Sequence, residues 1–278
     1  MSRSTADVST KSSAITTTPL PLGMRLLVFA GEQLQQAQAH LVRKGEALHE
    51  GIHQARKSIR RARATLALGA RVFGPRAQAL DDELGRLCRG LSHLRDAQAL
   101  IEVLQRLEAQ APDRIRAILP AAERLARERR DDILERALVR DPAFQARGLR
   151  LQAAQQRLAR LGWRAVDETE VSSAMKRSQR RADKAAKQIK KNPEDDEAWH
   201  VYRRRLRRLR QQDSLLAELL PALRLSKKRA RDLADVLGES QDDALLLRHC
   251  DRRSPFPSDQ RKQLRAIARE RLRRTRSG

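Results

Sequence analysis

The chain has 278 residues, 40% of them hydrophobic, which is enough to build a buried core and excludes disorder on composition. Lys and Arg number 59 against 35 Asp and Glu, a formal net charge of +24 that calls for a polyanionic partner: nucleic acid, a phosphate polymer or an acidic membrane surface. Four Phe, two Trp and one Tyr leave few platforms on which unpaired bases would stack, which favours an anion without bases.

Taken in chain order, residues 1–20 are rich in Ser and Thr with no apolar signal core and are expected to form a flexible tail. The longest apolar run, 26–30, is far too short to span a bilayer, so no membrane partner is expected. Beyond the tail, Ala, Leu, Arg, Gln and Glu dominate, all good helix formers, while β-branched and aromatic residues are sparse. Pro75, Pro112, Pro142, Pro193, Pro221 and Pro255 fall between long periodic segments, as helix boundaries do. The pattern predicts an all-α chain with helices near 22–45, 49–72, 76–108, 113–137, 143–162, 166–191, 195–219, 223–249 and 257–275. Cys88 and Cys250 form no CxxC pair. They read as small buried hydrophobes in a reducing compartment, and the expected location is the cytoplasm.

An internal repeat organises these helices. The segment His53-Gln-Ala-Arg56-Lys57-Ser-Ile-Arg60-Arg61-Ala-Arg63 recurs as His200-Val-Tyr-Arg203-Arg204-Arg205-Leu206-Arg207-Arg208-Leu209-Arg210. Counted from each histidine, positions +3, +4, +7, +8 and +10 are basic in both copies. A weaker second block pairs Leu91-Ser92-His93-Leu94-Arg95-Asp96 with Leu237-Gly238-Glu239-Ser240-Gln241-Asp242 at nearly the same spacing. A duplicated unit follows, with 21–163 as the first copy and 164–278 as the second.

On a helix, positions 0, +3, +7 and +10 share a stripe roughly 15 Å long. His53, Arg56, Arg60 and Arg63 form one such stripe, and His200, Arg203, Arg207 and Arg210 form the other. Lys57 and Arg61 flank the first, Arg204 and Arg208 the second. Beside them run Ile52, Ala55, Ile59 and Ala62, matched by Trp199, Tyr202, Leu206 and Leu209. These apolar positions should face the core and fix where the charges point. Like charges on successive turns repel without counter-ions, and guanidinium forks hold phosphate oxygens bidentately, so both stripes are candidate phosphate-binding sites. The helix preceding the second copy adds Arg177, Arg180, Arg181, Lys184 and Lys187 as further candidates, against the alternative of a solvated basic face. A bound phosphate polymer should raise the pKa of His53 and His200 towards the doubly protonated donor form.

At these residues the chain resembles the CHAD family, the conserved histidine α-helical domain, through the H-x-x-R-K/R-x-x-R-R-x-R helix at His53 and His200 and the L-S-H-L-R-D block ending at Asp96. The resemblance runs from about residue 21 to the C-terminus. It implies two four-helix bundles related by a pseudo-two-fold axis, and a basic groove that binds inorganic polyphosphate, with association with polyphosphate granules as a further expectation. It also implies, as ligands, the twelve His, Arg and Lys residues of the two stripes and their flanks. Gln241 stands where the first copy has Arg95, so no role is carried onto it.

Two other functions compete. The same basic face would suit RNA or DNA. Separately, His49-Glu50-Gly51-Ile52-His53 fits H-E-x-x-H, the pattern of a zinc hydrolase. Against zinc, the following turns carry Arg56, Lys57, Arg60 and Arg61, and the second copy has Asp196 where the first has His49. No nucleophile–base pair or glycine-rich phosphate loop is evident. The expectation is therefore a binding protein, not an enzyme, without cofactor or metal. Asp96 and Asp242 are expected to anchor arginines across a bundle or to sit at a helix terminus.

Overall fold

The computed structural model describes residues 20–109, 111–225, 241–251 and 254–277, and every regular element among them is helical. The main helices are α1 (Leu22–Leu41), α2 (Ala47–Leu66), α3 (Ala70–Phe73), α4 (Pro75–Gly90), α5 (Ser92–Glu108), α6 (Asp113–Arg116), α7 (Leu119–Arg140) and α8 (Gln145–Ala159). After a 3-10 turn at Trp163–Ala165 come α9 (Glu168–Lys191), α10 (Asp196–Leu219), α11 (Gln241–His249) and α12 (Ser258–Ser277). Pro75 opens α4, while Asp167 and Asp195 cap α9 and α10 by accepting from the backbone N–H of Glu170 and Ala198.

Three predicted helices are broken where tertiary packing overrides propensity. The span 76–108 is two helices, because the chain turns at Gly90 and pulls Leu91 into the core. The span 49–72 ends at Leu66. Leu68 is buried, and Gly69 lies so close to the Phe73 ring that a Cβ there would overlap it. The span 113–137 divides into α6 and α7 just before Pro120. The expected tail lies outside the described residues except for Leu20, as do most of the span 223–249 and the stretch 237–240 of the second repeated block.

Two apolar clusters hold the chain together, and each draws on both sequence copies. The first joins α1, α2, α4, α8, α9 and α10 through residues such as Leu34, Ile59, Leu84, Leu158, Ala182 and Leu206. Trp163 sits in it, donating from Nε1 to the Leu158 carbonyl at 2.8 Å, with its ring 4.6 Å from that of Phe73. The second cluster joins α5, α7, α11 and α12 through residues such as Leu104, Ala122, Leu246 and Leu264. The two copies are thus interleaved in space. Gly51 lets α2 cross α1 at close range, since a Cβ there would overlap the His40 carbonyl oxygen. Cys88 and Cys250 are buried free thiols, and burial pushes Cys250 up to about 11, which fits their reading as hydrophobes.

Candidate functional site

Core packing sets the rotation of the two repeated helices. Ile52, Ala55, Ile59 and Ala62 of α2 are buried, as are Leu206 and Leu209 of α10, while Trp199 and Tyr202 are partly covered and meet edge to face. α10 lies against α2, and the buried Gln212 donates from Nε2 to the Ala64 carbonyl at 3.0 Å, fixing the register between them.

With those faces inward, Arg56 and Arg60 of α2 come together with Arg207 of α10 and Arg95 of α5. Arg60 shows it most clearly. Its guanidinium is pushed down to about 10, first by burial and then by the charges of Arg207, Arg56 and Arg95. Arg207 is lowered by burial and by Arg56. The Nε atoms of Arg56 and Arg60 are buried, and among the described residues neither finds an acceptor. No carboxylate pairs with Arg60 among those residues. Arg56 is held from behind: its Nη1 donates to the Cys88 carbonyl at the end of α4 and to Ser92 Oγ at 2.8 Å. Arg95 is oriented by a two-pronged pair with Glu102 at 2.9 and 2.8 Å.

The neighbouring arginines are neutralised. Arg63 forks onto Asp81 of α4, with both bonds at 2.8 Å, and Arg208 of α10 approaches the same carboxylate at 3.6 Å. Burial works to raise the Asp81 pKa, but the Arg63 hydrogen bond and the Arg208 charge outweigh it and hold the carboxyl below its usual range. Gly85 makes room for this pair, since a Cβ there would stand 3.3 Å from the Arg63 guanidinium. The remaining candidates are spread outward. Arg203 is buried, Lys57 and Arg61 are half-buried, Arg204 and Arg210 are exposed, and Arg204 lies 3.7 Å from Glu197.

His53 is lowered by burial, then by Arg95 and Arg60, against an opposing pull from Glu50. His200 is lowered by burial, then by Arg204, Arg248 and Arg203, against Glu197. Both imidazoles are therefore biased towards the neutral form without ligand.

The family model of the CHAD domain matches residues 29–251. This chain belongs to the CHAD family. The crystal structure of the CHAD domain from the plant Ricinus communis is similar to it with a TM-score of 0.60 at 21% identity, covering 90% of this chain and 86% of that one. At that identity the likeness concerns the fold. No curated protein matches the chain.

Within this CHAD fold the basic face of α9 is mixed. Arg177 is tied to Glu170 at 2.7 Å, Arg180, Lys184 and Lys187 are exposed, and Arg181 stands near Arg205 and Arg208 of α10. In the H-E-x-x-H stretch, His49 is buried and lowered by burial and by Arg130, whereas His53 faces Arg95 and Arg60. Gly51 between them serves the α1–α2 crossing. Among the described residues no three His, Cys, Asp or Glu side chains converge as metal ligands, and none of the helices is long and apolar enough to cross a membrane. Asp242 anchors an arginine as expected, accepting from Arg106 at 2.7 Å. Asp96 does not; it lines a cavity. Sequence reasoning missed Asp81 and Arg95. Arg95 sits in the repeated block and was visible there, but nothing local marks Asp81 as the partner of a residue one helix away.

Proposed function

We propose that this CHAD chain binds inorganic polyphosphate, with Arg56, Arg60 and Arg207 as the centre of a basic groove. The observation that carries the reading is Arg60: a half-buried arginine whose Nε is buried without an acceptor, under the charges of three other arginines, with no carboxylate to answer it among the described residues. Such an arrangement is unfavourable until an anion with closely spaced charges enters, and the scarcity of aromatic residues in the chain suits a polymer without bases. The family resemblance supports the same ligand. On this reading His53 and Arg95 extend the groove on the first copy, and His200, Arg203, Arg204 and Arg210 extend it on the second. Lys57, Arg61 and the exposed cations of α9 raise the surrounding potential, while Arg63 and Arg208 are locked to Asp81 and shape the wall. The protein acts by binding and not by catalysis, in the cytoplasm, where granule association would follow from affinity for the polymer.

The test is calorimetry with long-chain polyphosphate at near-physiological salt, with RNA of matched charge as competitor. Tight binding that resists RNA and falls with salt at about −0.7 per neutralised phosphate on a log–log plot is expected. Equal competition by RNA would replace this reading with a nucleic-acid interface on the same face.

A further inference from the structure

A cavity of about 760 Å³ opens between α5, α7, α11 and α12, away from the Arg56–Arg60–Arg207 centre. Its lining includes three arginines, Arg129, Arg248 and Arg265, two carboxylates, Asp96 and Asp251, and the imidazole of His249. The Nε of Arg265 is buried there and finds no acceptor among the described residues, while its Nη2 donates to the Cys250 carbonyl. Asp251 is 3.4 Å from Arg265, whereas Asp96 is paired with no arginine among the described residues.

Two residues of the cavity lie near residues of the basic site. Arg95 and Asp96 are successive residues of α5, about 100° apart around its axis. Arg95 faces His53 and Arg60, and Asp96 lines the cavity. Arg248, which also lines the cavity, acts electrostatically on His200 of α10.

Carboxylates in an anion pocket need a reason, because they repel a fully ionised phosphate. The internal phosphates of a linear polymer carry one charge each and no hydroxyl near neutral pH. A terminal phosphate differs: its second ionisation falls near pH 6, so beside a carboxylate it keeps a P–OH that can donate to that carboxylate. Guanidinium groups take the ionised oxygens and the carboxylate takes the hydroxyl, a combination that the end of the polymer satisfies and its internal phosphates do not.

We infer that this cavity captures the terminal phosphate of polyphosphate, with Arg248 and Arg265 holding the ionised oxygens and Asp96 accepting from the P–OH. The inference rests on the polymer reading above. A neutral imidazole fits the same role, since it offers one donor and one acceptor. His249 is held down to about 4 by burial and by Arg129 and Arg248, against the pull of Asp96.

The experiment compares long-chain polyphosphate with free ends against the same chains capped as terminal methyl esters, which carry no P–OH or N–H donor, by calorimetry on the full chain. Free-ended chains should bind about tenfold tighter, the scale of one charge-assisted hydrogen bond. That ratio should approach one in Asp96→Ala and in Arg248→Ala, the latter altering an exposed side chain. Equal binding of both polymers by the unaltered protein, or a ratio that persists in both variants, overturns the chain-end pocket. Failure of the capped polymer to bind at all instead removes the groove itself, so the two ideas fall separately.

Discussion

The two repeated helices carry the same basic offsets and meet different fates. On α2, the +3 arginine is tethered to the α4–α5 corner, the +7 arginine is half-buried among its like, and the +10 arginine is neutralised by Asp81. On α10, the +3 arginine is buried, the +7 arginine faces Arg56, the +8 arginine shares Asp81, and the +10 arginine is exposed. Equal spacing along a helix therefore does not mean equal chemistry. What lies across from each turn decides the fate of each charge, and one carboxylate on α4, Asp81, holds both Arg63 and Arg208.

The sharpest way to break that comparison is to remove the available pair. Arg56→Ala/Arg60→Ala should weaken polyphosphate binding by roughly 100-fold, two charge-assisted hydrogen-bonding groups at about 1.5 kcal/mol each. An affinity unchanged by this double substitution, measured by calorimetry, contradicts the assignment. Next comes the locked pair. Asp81→Asn leaves Arg63 and Arg208 without their shared partner and should cost about 2 kcal/mol of stability in chemical denaturation. Polyphosphate should restore much of that loss, because the freed guanidinium groups become ligand-accessible.

A smaller effect is expected from pH. His53 and His200 are depressed in the free protein and should be raised by a bound polyanion, so the complex binds more protons than the free chain. Affinity should then rise severalfold as pH falls from about 7 to 5, with proton uptake visible as a buffer-dependent binding enthalpy. For folding without ligand the sign is opposite. The unfolded chain has the higher histidine pKa, so these two imidazoles reduce stability as pH drops through about 6.5. Smallest of all should be Arg210→Ala on the exposed end of α10. It is expected to shift polyphosphate affinity by less than about 0.5 kcal/mol at physiological salt, while the equivalent Arg63→Ala reads mainly in stability.

Much of this was legible in the sequence. Helices with strong apolar periodicity and a proline or cap at the boundary, such as α1, α9 and α10, match their predicted spans closely. The corners at Leu68 and Leu91 were read through although Gly69 and Gly90 mark them, because the burial of those two leucines against distant helices, which turns the chain there, is not a local signal. The arginine stripes were visible as spacing, and the apolar positions beside them correctly gave the rotation of both helices. Which arginines are neutralised was not, since the contacts of Asp81 and Glu102 depend on how α4 and α5 lie over α2. The role expected for Asp96 and Asp242 divides in the same way: Asp242 meets Arg106, and Asp96 meets a cavity.

The interleaving of the two apolar clusters has a consequence during synthesis. The first cluster, which opens with Leu26, is completed only by Leu206, Leu209, Leu215 and Leu216, and the second waits for Leu264 and Ala268. A nascent chain holding only residues 21–163 therefore leaves uncovered the face of α2 that meets α10, and completion of that core waits for the second half. The two halves of the chain thus share one fate, since each core needs leucines from both.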